Sequence, residues 1–351
     1  MSIETLVAGI KPLDEVARRS AQARQDALTK PRGSLGRLEE LSIQVAGMTA
    51  DPRPRLEDKL VLVMAGDHGV VQEGVSAYPQ EVTPQMVMNF LRGGAAINAF
   101  ARQAGARVAV ADLGVTTDLP PVPGLIVRKI GRGTANLAKG PAMTRAQAVE
   151  SILAGAEIFE TEMENGVDIL ATGDMGIGNT TPSAAIAVVL SGASVEEVAG
   201  RGTGVDEAGL QRKRSAIRRG LQVNRPDAAD ALDVLGKVGG FEIGGLAGAI
   251  LASAANRKPI VLDGFVSGAA AMIAVALAPA ARDYLIAGHA SAERGHRVML
   301  RWLRLAPLLD LELRLGEGTG AVLAMNLVQA ACRALTEMAT FEEAGVAEKS
   351  P

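Results

Sequence analysis

Three glycine-rich loops hold the residues of this 351-residue chain whose types and spacing could do chemistry. In Arg314-Leu-Gly-Glu-Gly-Thr-Gly320 a single carboxylate, Glu317, stands between glycines. Those glycines leave room for a flat substrate and allow backbone angles that other residues resist. The apolar neighbours Leu313, Leu315 and Ala321 would desolvate the carboxylate, raise its pKa and suit it to take a proton near neutral pH. The plainer reading is a Glu in a turn or helix cap, and the loop alone does not separate the two.

The second loop, Gly173-Asp-Met-Gly-Ile-Gly-Asn-Thr-Thr181, follows an apolar run and precedes a helix expected to begin near Pro182, a residue that suits a first helical position. Closely spaced glycines let backbone N–H groups approach an anion, and the helix N-terminus adds its positive dipole end. Asn179, Thr180 and Thr181 add side-chain donors. No Lys follows at Walker spacing, and Gly176-Ile-Gly178 runs into Asn-Thr-Thr rather than completing a dinucleotide fingerprint. A phosphate cradle is the functional reading, and an ordinary strand-to-helix turn the bland one. The third loop, Gly200-Arg-Gly-Thr-Gly204, leads into a helical stretch bearing Lys213. Lys213 or Arg201 could supply the point charge that the second loop lacks, against the default of a solvated helix face.

Asp67-His-Gly-Val70 and the polar segment after it span a strand end and a long loop. Ser76, Tyr78 and Gln85 are groups that can orient a planar heteroaromatic base, and Tyr78 is one of only two tyrosines. His68 reads as well as a structural hydrogen-bonding residue as a catalytic one. His289 and His296 have no Cys or His at ligand spacing, so neither a metal nor another cofactor is expected. A G-x-S-x-G elbow and a catalytic-cysteine context are missing. So is the adjacent acidic pair expected where a Mg-bound pyrophosphate sugar donor is held. That favours a mononucleotide whose leaving group departs readily by itself.

The elements that position these residues follow a strand–loop–helix rhythm. Six apolar runs, Leu60–Met64, Val108–Asp112, Leu125–Ile130, Val167–Thr172, Pro259–Leu262 and Tyr284–Ile286, each end close to Gly or Asp. Continuous rather than alternating apolar runs indicate strands buried on both faces. Helical stretches such as Pro84–Gln103 and Arg145–Asn165 lie between them. The expected fold is α/β: a doubly wound, mostly parallel sheet flanked by helices, whose ligands sit beyond the carboxyl ends of the strands. Residues 1–50 and 290–351 lack this rhythm and are expected to form a smaller helical domain, with 51–289 as the sheet domain that carries the site. The polar end, Glu342–Pro351, is expected to fray.

Bulk properties narrow the partners. The chain has 36 basic and 39 acidic residues, a net charge of -3, so no broad attraction to nucleic acid is expected. With 48% hydrophobic but 3% aromatic residues, the core must be aliphatic, as in helices packed on a sheet. The one cysteine, Cys332, can form no internal disulfide, which fits a reducing, cytoplasmic compartment. The N-terminus, with Glu4 and no long apolar stretch, does not read as a signal peptide. Phe265–Ala281 reads as a buried helix, not a membrane span.

Taken in order, a series of blocks resembles the nicotinate-nucleotide–dimethylbenzimidazole phosphoribosyltransferases, which build the lower-ligand nucleotide of cobalamin. They are T-K-P-R-G-S-L-G-R-L-E at 29–39, A-G-D-H-G-V at 65–70, G-V-S-A-Y-P-Q-E-V-T at 74–83 and N-F-L-R-G-G-A-A-I-N at 89–98. M-G-I-G-N-T-T-P-S-A-A at 175–185, G-R-G-T-G-V-D at 200–206, G-G-F-E-I at 239–243, L-D-G-F-V-S-G-A-A at 262–270 and L-L-D-L-E-L-R-L-G-E-G-T-G-A at 308–321 follow. The resemblance implies a homodimer and two small-molecule substrates, nicotinate mononucleotide and a benzimidazole-type base. It implies that Glu317 removes the proton from one ring nitrogen while the other attacks the ribose C1′. Nicotinate then departs with inversion, giving α-ribazole 5′-phosphate. It implies base contacts at Ser76, Tyr78, Gln85 and Leu315. Nucleotide and phosphate contacts fall at Asp174, Gly176, Gly178, Asn179, Thr180, Gly202 and Lys213. One departure stands out: Asp174 occupies a position where the family often carries Glu. Two other readings compete with the transferase, a non-catalytic nucleotide sensor or carrier on the same scaffold and a dinucleotide-dependent oxidoreductase. The first needs only the phosphate cradle, and the second lacks its glycine fingerprint.

Overall fold

The computed structural model describes residues 2–347. Each of the six apolar runs forms a strand: β1 (Lys59–Gly66), β2 (Ala106–Gly114), β3 (Leu125–Val127), β4 (Ile169–Met175), β5 (Ile260–Leu262) and β6 (Leu285–Ala287). They join in one sheet, in the order β3-β2-β1-β4-β5-β6, and every neighbouring pair is parallel. Strands β1 and β5 are buried along their whole length, as a sheet covered on both faces requires. The run expected to continue to Ile130 stops as a strand at Val127.

The order reverses at β1, since the chain builds outward to β2 and β3 and then crosses to place β4 on the other side. Such a switch point opens a crevice beyond the carboxyl ends of the two central strands. Register aligns Met64 of β1 with Asp174 of β4, so Gly66-Asp67-His68 and Asp174-Met175-Gly176 leave the sheet side by side. Asp263 follows β5, and His289 lies two residues beyond β6.

Helices cover both faces. The Arg145–Met163 helix starts on a capping box, with the Gln147 N–H donating to Thr144 Oγ1 and the Thr144 N–H donating to Gln147 Oε1. Such a reciprocal pair satisfies two donors that a helix N-terminus leaves open. The stretch expected as one helix from Pro84 to Gln103 is two, Val82–Leu91 and Ala96–Ala104. Gly93, at φ 76, breaks it, because left-handed backbone ends a helix. The Phe265–Leu277 helix is buried over nearly all its length, and among the described residues no helix is long and apolar enough to cross a membrane.

The chain ends meet. Arg24, in the Glu15–Ala27 helix, donates to the carbonyls of Leu335 (2.8 Å) and Met338 (2.9 Å), and Leu28 bridges to Thr340. Arg37 reaches the carbonyls of Ala306 and Pro307. The Thr319–Glu337 helix packs on both Arg37–Thr49 and Ala96–Ala104, and apolar residues from Ile3 to Cys332 share one core with the strands. Glu342 to Ala344 belong to a short helix capped by Thr340, while 348–351, the rest of the segment expected to fray, lie outside the described residues.

Candidate active site

At the switch point lies a cavity of about 450 Å³. All three glycine-rich loops reach it, the Gly200–Gly204 loop through Gly202 and Thr203. The one after β4 contributes Asp174, Gly176, Asn179 and Thr180, and the one before the last long helix contributes Arg314, Leu315, Gly316 and Glu317. Tyr78, Val82 and Met86 add an aromatic and apolar portion, and Gly264, Phe265, His289 and Glu293 come from beyond β5 and β6. A wider hollow, of about 570 Å³, between Gly133 and Lys237 offers less chemistry: its cations Arg145 and Lys237 are already paired with Asp230 and Asp233.

The loop after β4 is tied down by its own residues. Asn179 Nδ2 donates to Asp174 Oδ2 at 2.9 Å, and the Asn179 N–H donates to the Gly176 carbonyl. Gly176 can only be glycine, since a Cβ there would lie 2.2 Å from the Gly66 carbonyl oxygen at the end of β1. The helix that follows begins at Thr180 rather than near Pro182. Pro182 therefore sits in the first turn, where its missing N–H leaves no gap in the helical ladder. Lys213, 1% exposed, reaches into this loop, and its Nζ lies 2.9 Å from Thr180 Oγ1 and 3.4 Å from the Gly200 carbonyl. Burial pushes the Lys213 pKa down to about 8, opposed by the nearby Glu293 carboxylate. Gly202 approaches both Lys213 and Thr180. A helix N-terminus, a threonine hydroxyl and a buried ammonium are groups with which proteins bind anions.

Glu317 is held differently. Its backbone is left-handed at φ 64, between Gly316 at 88 and Gly318 at 95. A side-chain-bearing residue in that region costs on the order of 1–3 kcal/mol and persists where its surroundings dictate it. The Glu317 carbonyl presses against Gly173, where a Cβ would lie 2.5 Å away. Its Oε2 accepts the Ile97 N–H at 3.2 Å. Burial raises the Glu317 pKa, the Ile97 hydrogen bond lowers it, and the Asp263 charge raises it further. Asp174 is pushed well above the usual carboxylate range by burial and by the carboxylates of Asp263, Glu242 and Glu317, against the lowering effect of Asn179.

Of the residues singled out in the sequence, Glu317, Tyr78, Leu315, Asp174, Gly176, Asn179, Thr180 and Gly202 line this one cavity. Gly178 and Lys213 stand behind that lining, Gly178 between Gly176 and Asn179 and Lys213 through Thr180. Ser76 and Gln85 do not line it. Ser76 turns to Thr203, 3.4 Å away, and Gln85 is exposed beside Met86, which does face in. Arg201 turns outward to Glu207 and the Val205 carbonyl, which leaves Lys213 as the loop's cation. His68 takes the structural reading: fully buried, it pairs through Nε2 with Glu242 Oε1 at 2.8 Å. Sequence reasoning missed Asp263, which lies behind the lining against the Gly318–Ala321 backbone, and the lining residues His289, Glu293 and Arg314. An Asp at the end of a strand, in L-D-G-F, was the available signal for the first.

A parallel sheet with a switch-point cavity, a glycine-rich turn opening a helix beside a buried ammonium, and a buried carboxylate is the architecture of α/β enzymes that act on phosphorylated substrates. Residues 10–346 match the family model described as phosphoribosyltransferase. The chain is 63% identical over 339 residues to the nicotinate-nucleotide–dimethylbenzimidazole phosphoribosyltransferase of Desulforudis audaxviator (strain MP104C), covering 97% of this chain and 96% of that one. It is 60% identical to the protein of the same name from Roseiflexus sp. (strain RS-1), covering 98% and 97%. The crystal structure of the Thermus thermophilus protein of this name superposes with a TM-score of 0.91 at 51% identity, over 96% of this chain and all of that one. The chain belongs to the nicotinate-nucleotide–dimethylbenzimidazole phosphoribosyltransferase family.

Proposed function

We propose that this enzyme transfers the phosphoribosyl group of nicotinate mononucleotide to 5,6-dimethylbenzimidazole or a related base. The observation that carries this reading is the meeting, in one cavity, of a phosphate cradle and a buried carboxylate whose pKa is raised. The 5′-phosphate sits at Gly176–Thr180 and Gly202, with Lys213 as its counter-charge. The base lies by Tyr78 and Leu315, with Ser76 and Gln85 in its outer surroundings. One azole nitrogen attacks the ribose C1′, and the proton on the other passes to the Glu317 carboxylate. The C1′–nitrogen bond to nicotinate breaks, and its electron pair neutralises the cationic pyridine nitrogen. Attack from the opposite face gives α-ribazole 5′-phosphate and free nicotinate. A base poised by desolvation acts best close to its own pKa.

Asp174, one methylene shorter than the Glu often found there, could move a ribose or base contact by about 1 Å, a displacement of the size that can cost activity. Acceptor preference is therefore best read by incubating nicotinate mononucleotide with dimethylbenzimidazole, other benzimidazoles and adenine, with product mass and anomeric configuration determined. Release of nicotinate with none of these acceptors would return the chain to a nucleotide carrier.

Three coarser features complete the proposal. Tyr78 and Leu315, 54% and 58% exposed at the cavity, support a homodimer that covers them, measurable by sedimentation. The ties of Arg24 and Leu28 to the C-terminal segment support a smaller helical unit from 1–50 and 290–351, although its apolar face joins the core of the strands; hydrogen exchange that opened this unit apart from the sheet would support it. A reducing, cytoplasmic setting rests on the single cysteine, Cys332, which has no internal partner for a disulfide.

A further inference from the structure

Asp263 follows β5, is 1% exposed and is not among the residues that line the cavity. Its Oδ1 accepts the N–H groups of Gly320 (2.7 Å) and Ala321 (3.1 Å), and its Oδ2 accepts that of Gly318 (3.2 Å). The backbone of Asp263 is itself anchored, its N–H donating to Thr172 Oγ1 on β4 at 3.3 Å. Two of the three donors open the Thr319–Glu337 helix, where N–H groups lack partners within the helix and a negative charge is favoured. A helix ordinarily takes such a cap from the residue just before it. Here that residue is Gly318, which has no side chain to offer, and the cap comes from another strand of the sheet.

This borrowed cap fixes the backbone on the C-terminal side of Glu317. Gly318 is pinned by Asp263, the Glu317 carbonyl is wedged against Gly173, and the carboxylate meets the Ile97 N–H. His289 backs the arrangement. Its Nε2 lies 3.5 Å from Asp263 Oδ1, and its ring fills the space beside Gly320, where a Cβ would come within 2.0 Å of it. We infer that Asp263 is a positioning residue for the transfer, holding the Gly316–Gly320 turn in the left-handed form that aims the Glu317 carboxylate at the acceptor base. The inference rests on the proposed role of Glu317 as base. It explains how an unfavourable backbone conformation is held at the one residue that must not drift, for the turn, which Thr319 closes locally on the Gly316 carbonyl, is also fixed to the end of β5.

The titratable and charged groups around Glu317 are Asp263, Asp174 across Gly316, His289 beyond Asp263, and Arg314 and Glu293 in the same cavity lining. Burial is the main cause of the raised Glu317 pKa and the neighbouring Asp263 carboxylate adds to it, so Asp263→Asn should move the acidic limb of the kcat/KM profile to lower pH.

The test is a double-mutant cycle of Asp263→Asn and Glu317→Gln in the full chain, read by kcat, by KM for nicotinate mononucleotide and by the pH profile. Asp263→Asn alone should lower kcat roughly 100-fold, as expected for a misplaced catalytic group, with KM changed less than about threefold. In the Glu317→Gln background the same substitution should cost almost nothing, because a residue that acts through another has no separate effect. The inference is overturned if the two losses multiply, or if Asp263→Asn leaves kcat and the acidic limb unchanged. If instead Glu317→Gln alone keeps full kcat, it is the assignment of the base that falls. Should Asp263→Asn fail to fold, Asp263→Ser retains one hydroxyl acceptor, and the cycle with that variant is judged by the same criteria.

Discussion

Between Asp174 and Thr180 the chain closes on itself: Asn179 holds Asp174, the Asn179 N–H returns to Gly176, and a helix begins one residue later. Between Arg314 and Gly320 Thr319 closes on the Gly316 carbonyl, but the setting of Glu317 comes from distant residues, Ile97 on one helix, Gly173 on β4 and Asp263 after β5. Both loops face one cavity, but the demands on them differ. A phosphate is large, doubly charged and tolerant of small displacements, so backbone dipoles and one cation hold it adequately. A proton transfer needs its acceptor within hydrogen-bond reach of one particular atom. The loop with the looser task is built locally, and the loop with the stricter task is clamped from three directions.

The sharpest test of this contrast is Glu317→Gln. The amide keeps the shape and the Ile97 contact, yet cannot take a proton. We expect kcat to fall roughly 100- to 10,000-fold, the range of a general base, with mononucleotide affinity nearly unchanged in a direct binding titration. Equal losses in kcat and affinity would mean that Glu317 merely organises the loop, and the division of labour would vanish.

Lys213→Met should do the reverse, weakening mononucleotide binding about 10- to 100-fold while kcat at saturation changes little, as for the loss of a charged hydrogen bond. Its pH dependence sharpens the point. The charged form grips phosphate and its pKa in the free enzyme is about 8, so wild-type affinity should decline above pH 8, and that of the Met variant should not. Stability should move the other way. With the native pKa below the ordinary 10.5, the unfolded chain holds more protons between those values, and the unliganded protein gains stability as pH rises from 8 towards 10. Calorimetry across that range would check the sign.

These two residues also mark what the sequence made legible. All six strands announce themselves as unbroken apolar runs, because burial on both faces removes the alternation that a half-exposed sheet would show. Gly176, Asn179 and Thr180 were readable because the loop they form is made from neighbours in the chain. Glu317 was conspicuous among its glycines, but the reason it points where it does was not, since Asp263 and Ile97 lie 54 and 220 residues away in sequence. The same blindness explains the single helix expected over Pro84–Gln103: the apolar pattern continues across Gly93 and Gly94, while the backbone turns there. Ser76 and Gln85 stand out by their polarity, yet the side chains that face the cavity from that stretch are Tyr78, Val82 and Met86. A flat aromatic base buries more apolar edge than it makes hydrogen bonds, and the lining reflects it.

Gly176→Ala challenges the local loop where it meets β1. The added methyl would fall 2.2 Å from the Gly66 carbonyl, and backbone cannot yield as a side chain does. A loss of about 1–3 kcal/mol in unfolding free energy is expected, measurable by urea denaturation, with a weaker hold on phosphate. A variant as stable as the wild type would show that the loop adapts, and that its close approach to β1 is incidental.

The smallest effect expected is at Thr83, an exception to the rule of local construction. Its Oγ1 accepts the Ile177 N–H at 3.1 Å, and both residues are buried, so the middle of the phosphate loop is tied to the helix that carries Val82 and Met86. Thr83→Val keeps the shape and removes the acceptor, leaving a buried donor unsatisfied at a cost of about 1 kcal/mol or somewhat more. If the loop is otherwise self-supporting, that loss should appear in stability alone, with mononucleotide affinity within about twofold of wild type. If affinity drops by tenfold or more, the loop depends on remote ties as the Glu317 turn does. Binding of the base beside Val82 and Met86 would then be coupled to binding of the phosphate, because the Val82–Leu91 helix touches both.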